Sequence, residues 1–383
     1  MLSRRVERLT SSLIRDILAA AQQPGVISFA GGLPDPDTLM WPTSFDAPVS
    51  LAQYGPSEGE MALREAIAAR AQTMGIRCEA QDVLILSGSQ QGIDLVSKLF
   101  IDPETPIITE SPTYLAALQS FQFFGADITG LPVRPDGVEV ADLAQALAAR
   151  DAAFAYLIPT FQNPSASCYS AEKRRAMADL LKAARVPLIE DDPYRELAYE
   201  AVDRRPICAD MGPEDAWVYL GTFSKTLAPG LRVGYLIASP VLFGHLLRLK
   251  QASDLHTNRL GQWLTLQTLQ SGGYDAHLQA LAERYRHKRD AMQAALQAEL
   301  GEMADWTLPV GGLFFWLTLK HKIDTRQLLK PALESGLAFM PGEPFYPERP
   351  AASGTLRLNF SHASAEQMQI GVARLAKLLR EHR

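Results

Sequence analysis

The chain is predicted to fold as a layered α/β domain joined to a smaller α+β domain, and three features of the sequence carry that prediction. Between about residues 80 and 240, short runs rich in Val, Ile and Leu alternate with segments of helical period, as in a sheet covered by helices. The runs are not polar at alternate positions, so both faces of that sheet should be buried. From about 240 to 300 the apolar positions keep a helical period, and short strand-like runs mixed with helical segments follow. A length of 383 residues suits one large domain plus a smaller one.

In order, an amphipathic N-terminal helix at about 11–22 leads into the Gly- and Pro-rich Gly31-Gly32-Leu33-Pro34-Asp35-Pro36. This stretch is too short to be a domain, so residues 1–40 read as an arm. Strands are expected at 83–86, 106–109, 153–158, 186–190, 218–221 and 233–238, runs of strand length rich in Val, Ile and Leu. Breakers are almost absent after Pro240 until Ser271-Gly272-Gly273, which predicts two helices leading out of the sheet domain. Beyond them, strands are expected at 306–309, 313–319, 338–341 and 355–360, with helices near 325–335 and 364–381. The expected division is an arm at 1–40, a large domain at 41–275 and a small one at 276–383.

With 47% hydrophobic and 21% charged residues, the composition is that of an ordinary globular protein. A formal net charge of −6 leaves no basic footprint for nucleic acid. Cys78, Cys168 and Cys208 are odd in number and far apart, which argues against a disulfide framework or a thiolate metal site. The seven histidines form no His-x-x-x-His pair, so no metal is expected. Arg4, Arg5, Glu7, Arg8, Arg15 and Asp16 interrupt any secretory core. The most apolar later stretch, 308–319, is shorter than the roughly 18 residues of a membrane span. A cytoplasmic location is expected.

The chemistry is read from Lys225, which stands in Gly221-Thr222-Phe223-Ser224-Lys225-Thr226 just after an apolar run and seven positions before Arg232. A lysine whose pKa is lowered by burial or a nearby cation is the amine that an aldehyde cofactor needs. If that cofactor has a phosphate tail, Thr222, Ser224 and Arg232 supply hydroxyls and a cation for it. Taken alone, Lys225 also reads as a solvated loop lysine. The loop Ser87-Gly88-Ser89-Gln90-Gln91-Gly92 follows a strand and opens a helix, whose free N–H groups suit a phosphate; equally, Ser89 is an N-cap. Asp191 and Asp192 follow an apolar strand, on the edge where open α/β sheets bind ligands. A buried carboxylate there needs a cationic partner, and a protonated pyridine nitrogen would be one that makes the ring an electron sink. Asn163, at the end of another run, has an amide able to bond a phenolic oxygen, although Asn163-Pro164 also reads as a simple turn. Arg357 is the only charge in Leu356-Arg357-Leu358-Asn359-Phe360, a candidate to bind a carboxylate through both its nitrogens or else an edge-strand arginine.

Together these motifs, with Phe29-Ala30-Gly31-Gly32-Leu33-Pro34, Tyr54-Gly55-Pro56-Ser57-Glu58-Gly59 and Asp191-Asp192-Pro193-Tyr194, resemble in kind and order those of class I pyridoxal-phosphate aminotransferases. The similarity is greatest to the 2-aminoadipate, kynurenine and broad-specificity branch, and it runs from about Ser11 to the C-terminus. It implies the fold type I transferase architecture, a mostly parallel seven-stranded sheet between helices plus a small α+β domain. It implies that Lys225 bonds the cofactor aldehyde and later shuttles a proton, that Asp191 pairs with the ring nitrogen, that Asn163 and Tyr194 hold the phenolic oxygen, and that Tyr114 stacks on the ring. Ser89, Gln90, Thr222, Ser224 and Arg232 would hold the phosphate, with Tyr54 reaching it from the second subunit of a homodimer. Arg357, Asn163 and Gly32 would face the substrate, and Arg15 would meet an acidic side chain or simply be solvated. The implied reaction moves an amino group from an L-amino acid (2-aminoadipate, glutamate, aromatic or branched-chain) to a 2-oxo acid such as 2-oxoglutarate. A β-lyase or decarboxylase is the alternative within the cofactor class, and Arg357 speaks against loss of the carboxylate. A ligand-sensing regulator would need a DNA-binding domain, and about 25 residues before the Gly31-Gly32 motif are too few for one. Where many such enzymes have Asn-Pro-Thr-Gly, this chain has Asn163-Pro164-Ser165-Ala166, so the turn lacks its glycine.

Overall fold

In a computed structural model, which describes residues 2–8, 17, 19, 23–41 and 46–382, the expected α/β architecture is present. Its centre is an eight-stranded sheet in the order β2-β9-β8-β7-β6-β3-β4-β5. The strands are β2 (Val83–Leu86), β3 (Pro106–Ser111), β4 (Asp127–Arg134), β5 (Gly137–Val138), β6 (Ala155–Leu157), β7 (Leu188–Asp191), β8 (Trp217–Thr222) and β9 (Gly234–Ala238). The pairs β3–β4, β3–β6, β6–β7 and β7–β8 are parallel, whereas β9 runs antiparallel to both its neighbours and β5 antiparallel to β4. Seven strands were expected; the eighth is the two-residue β5 at one edge. The sequence reading overlooked β4 because Gly130, Pro132 and Arg134 break the apolar run; β4 lies next to the edge and pairs with β5 only at Val133 and Arg134, so Gly130 and Pro132 face no strand on that side.

Both faces of this sheet are buried, as the unbroken apolar runs require. Val83 and Ile85 of β2 join one core cluster while Leu84 and Leu86 join another, and Tyr219 and Leu220 of β8 divide in the same way. The period of two is present, but apolar residues occupy both phases because helices cover both sides.

The region 240–300 contains three helices, Pro240–Asp254, Arg259–Gln270 and Tyr274–Leu300, where two were expected. The extra break is at Leu255, held at φ 65°, after which the Asn258 side chain caps the next helix by accepting from Leu260 N and Gly261 N. The longest helix passes between cores: Tyr274 and Leu278 pack with the large sheet, Leu281 and Tyr285 with the C-terminal core.

A second sheet, in the order β10-β11-β14-β13, is made of Ala304–Asp305, Phe314–Leu319, Thr355–Asn359 and Met340–Pro341. The strand expected at 306–309 lies instead two residues earlier and is only two residues long; Pro309 cannot donate to a ladder. Beside this sheet, β1 (Ile27–Ser28) pairs in parallel with β12 (Leu337–Ala338), so the N-terminal arm is stitched to the C-terminal region. The helix Ala365–Glu381 closes the core, started by a capping box in which Ser364 and Gln367 exchange side-chain bonds. The expected N-terminal helix at 11–22, with Arg15, lies outside the described residues apart from Ile17, which is buried in the C-terminal core, and Ala19.

Candidate active site

The parallel strands and β2 all end on one edge of the large sheet, and the loops that leave them meet around one cavity. Convergence at the carboxyl ends of strands is how an open α/β sheet makes a ligand site. Ser89 and Gln90 come from the turn after β2, Tyr114 from that after β3, Asn163 from that after β6, Asp191 from the tip of β7, and Thr222, Ser224 and Lys225 from β8 and its loop. Tyr194 and Arg232 complete the wall. The structure thus brings to one cavity ten residues that sequence reasoning selected from segments up to 143 positions apart.

The Lys225 ammonium donates to Gly32 O at 2.8 Å. Burial, then the charges of Arg357 and Arg232, bring its pKa down to about 8. A much larger fraction of the amine is therefore neutral near pH 7 than for an ordinary lysine. Gly32 itself supplies a carbonyl from the arm rather than a side chain.

Asp191 and Asp192 point in opposite directions, as successive strand residues must. Asp192 accepts from the Tyr219 hydroxyl at 3.0 Å and lies 3.7 Å from Arg195, away from the cavity. Asp191 is only 2% exposed, accepts from the Tyr156 hydroxyl at 2.6 Å through Oδ2, and at Oδ1 has no partner among the described residues. Burial pushes its pKa up to about 7. An orphaned buried carboxylate oxygen on a cavity wall is the environment that a protonated ring nitrogen would complete. The residues present fit a pyridine cofactor on this observation.

On the other side, Thr222 Oγ1 donates to Ser224 Oγ at 3.0 Å and accepts from Ser224 N at 3.2 Å. Arg232, at φ 52°, directs its guanidinium to Ser224 Oγ (3.5 Å) and Ser87 O (3.2 Å). The helix Ser89–Phe100 begins here, with Gly88 at φ 89°; a Cβ on Gly88 would lie 2.4 Å from the Arg232 guanidinium. Hydroxyls, a cation and a helix N-terminus make a cradle for a dianionic phosphate.

Arg357 is not on the wall but directly behind it. Its Nη1 donates to Asn163 Oδ1 and its Nη2 to Ala30 O, both at 2.7 Å, while Nε has no partner among the described residues. The guanidinium lies 4.1 Å from the Phe314 ring centroid and 5.1 Å from that of Phe345. Burial lowers its pKa to about 10. Tyr194 packs edge-on against the same Phe314 at 5.7 Å. Burial raises Tyr194 well above the ordinary phenol value and Tyr114 to about 12.

Tyr54 is elsewhere: it is 76% exposed and touches His256 edge-on at 5.8 Å. Sequence reasoning overlooked Phe314, Tyr156 and Gln162. Gln162 donates to Glu110 Oε2 and Pro112 O and accepts from Ser165 N and Oγ, thereby tying the Asn163 turn to the loop carrying Tyr114. A Gln beside Asn163-Pro164 and a Tyr inside an apolar strand were the only available signals. Among the described residues no cluster suits a metal ion.

The fold and the cavity together define an enzyme built around an amine of lowered basicity, a free carboxylate oxygen and a phosphate cradle, the class that uses pyridoxal 5'-phosphate. Comparison with known proteins is more specific. Residues 22–375 match the family described as aminotransferase class I and II. The chain is 36% identical to aromatic-amino-acid aminotransferase 1 of Thermococcus litoralis, over 97% of this chain and 92% of that protein. The structure of Pyrococcus horikoshii kynurenine aminotransferase superposes with a TM-score of 0.91 at 33% identity, covering 100% of this chain and 97% of that one. That of alpha-aminoadipate aminotransferase from Thermus thermophilus, complexed with N-(5'-phosphopyridoxyl)-L-leucine, gives 0.89 at 32% identity, covering 99% and 97%. The chain belongs to the class I and II aminotransferase family. It is an aminotransferase of fold type I, its cofactor is pyridoxal 5'-phosphate, and it passes an amino group between an amino acid and a 2-oxo acid.

Proposed function

We propose that this cavity transaminates an L-amino acid of the 2-aminoadipate, glutamate, aromatic or branched-chain type with a 2-oxo acid such as 2-oxoglutarate, in two half-reactions by a ping-pong mechanism. The observation that carries the assignment of roles is Lys225 beside the orphaned Asp191 Oδ1 and the phosphate cradle. When bound, the cofactor supplies an electron sink for the charge left on the substrate α-carbon. Lys225 is the amine that would bond the cofactor aldehyde, and its freed amine would carry the proton at that carbon. Asp191 holds the proton on the ring nitrogen, Asn163 and Tyr194 orient the phenolic oxygen, and Tyr114 covers the ring. Ser89, Gln90, Thr222, Ser224 and Arg232 hold the phosphate. Arg357, in reach of Asn163, takes the substrate carboxylate.

The division into an arm at 1–40, a large domain at 41–275 and a small domain at 276–383 is supported by the change of core along the helix Tyr274–Leu300 and by the β1–β12 pair. A homodimer with shared sites is supported by the exposed Val49, Tyr54 and Leu255 on one stretch, where Arg259 ties 50–53 to the loop 255–259. Among the described residues no helix is long and apolar enough to cross a membrane, and the three thiols are unpaired; we place the enzyme in the cytoplasm.

The test is spectroscopic. Adding glutamate to the holoenzyme should move its visible band, and 2-oxoglutarate should restore it. Lys225→Ala should remain folded and lose the band of the lysine-bound cofactor. No shift with any of glutamate, 2-aminoadipate, phenylalanine and leucine would sink the substrate assignment, and an unchanged band in Lys225→Ala would sink the lysine.

A further inference from the structure

We infer that Tyr156 is a positioning residue for the cofactor ring, acting through Asp191. The inference rests on Asp191 as the partner of the ring nitrogen and adds the residue that aims it.

The placement follows from strand register. On the parallel pair β6–β7, Tyr156 lies opposite Ile189, so Asp191, two residues further along, has its side chain on the same face as Tyr156. Flanking Glu190 and Asp192 project to the other face, where Glu190 accepts from Ile207 N and Cys208 N and Asp192 from Tyr219. Of three consecutive acids, only Asp191 faces the cavity. A phenol is long enough to span the diagonal between strands, and the Tyr156 hydroxyl reaches Asp191 Oδ2 at 2.6 Å.

That single bond has two consequences. It fixes the carboxylate plane, leaving Oδ1 as the one oxygen directed at an incoming ligand. It also offsets part of the desolvation of the anion, because the phenol can only donate: burial and the neighbouring Asp191 keep its own pKa well above the ordinary value. Tyr156 itself is fully buried, packed edge-on against Phe121 at 5.4 Å, and does not reach the cavity. Removing the hydroxyl would leave both oxygens of the buried Asp191 without a partner among the described residues, which favours the neutral acid and disfavours the ring-nitrogen pair.

The experiment is a double-mutant cycle on cofactor affinity, measured by titrating the apoprotein with pyridoxal 5'-phosphate and following absorbance and fluorescence. Tyr156→Phe should raise the Kd roughly ten-fold or more, as expected for a lost hydrogen bond to a charged group. In an Asp191→Asn background the same substitution should change the Kd by no more than about two-fold, because its route is already cut. Equal factors in the two backgrounds, or no effect in the parent, would overturn the inference. If Asp191→Asn alone leaves the Kd unchanged, the ring-nitrogen assignment fails and takes this inference with it; if only Tyr156→Phe is silent, that assignment stands. Should Tyr156→Phe not fold, fluorotyrosine incorporated into the parent gives the same answer: the Tyr156 fluorine resonance must move when cofactor is loaded, and an unmoved resonance overturns the inference.

Discussion

Arg357 shows what burial asks of a single cation. It is 7% exposed with no carboxylate beside it among the described residues, satisfied instead by Asn163, Ala30 O and the faces of two phenylalanines. A substrate carboxylate would give it the anion it lacks, so Arg357→Lys, which keeps the charge and loses the planar fork, should lower kcat/KM by about two orders of magnitude. The effect should fall mainly on KM, with the cofactor band unchanged; steady-state kinetics that match the parent would refute the role. Lys225 gives the pH dependence. With its pKa near 8, the neutral fraction rises about tenfold per unit below that value and levels off above it. The rate at which apoprotein bonds pyridoxal 5'-phosphate should follow the same curve in stopped-flow absorbance, and a rate that falls as pH rises from 6 to 8 would contradict it.

At the scale of elements, the turn after β6 shows how this chain manages without a glycine. Ala166 occupies the left-handed region at φ 60°, and the turn is held by Ala166 N to Gln162 O at 2.7 Å together with the Ser165 bonds to Gln162 Oε1. An alanine there costs about 1–2 kcal/mol that glycine avoids, against about 0.5–1 kcal/mol of extra chain entropy. Ala166→Gly should therefore stabilise the protein slightly, by about 0.5–1 kcal/mol, read as a rise in apoprotein Tm. A clear loss of stability would mean the strain is relieved elsewhere. The strands β2, β8 and β9 were legible almost to the residue because both their faces are apolar. The strand expected at 338–341 is present as two short pieces, β12 and β13, but the two-residue strands β1, β5 and β10 were not legible, because so short a run has no period of its own and exists only where a partner strand offers its edge.

At the scale of the whole molecule, the large sheet carries an unusual burden of buried acid. Glu110, Glu190 and Asp191 are each pushed up to about 7, chiefly by burial. In the unfolded chain such groups ionise near pH 4, so between about 4 and 7 the folded apoprotein binds more protons than the unfolded one. These groups therefore favour the fold at low pH, and that contribution is lost as pH rises through 7. The apoprotein Tm should decline from pH 5.5 to 8, and cofactor, by pairing with Asp191, should flatten the decline; calorimetry of both forms decides, and a rising apoprotein Tm would be the contrary result. The sequence by itself determined the layered class, the long helices and the identity of most residues on the cavity wall, because apolar period and residue chemistry are local properties. The spacing from Asp191 to Tyr194 already favoured Asp191 over Asp192, but only the tertiary structure decided that Arg357 stands behind Asn163 and that Tyr156 and Gln162 support the site. Those facts depend on which strands lie side by side and in what register, and register is fixed by packing between segments that are remote in the chain.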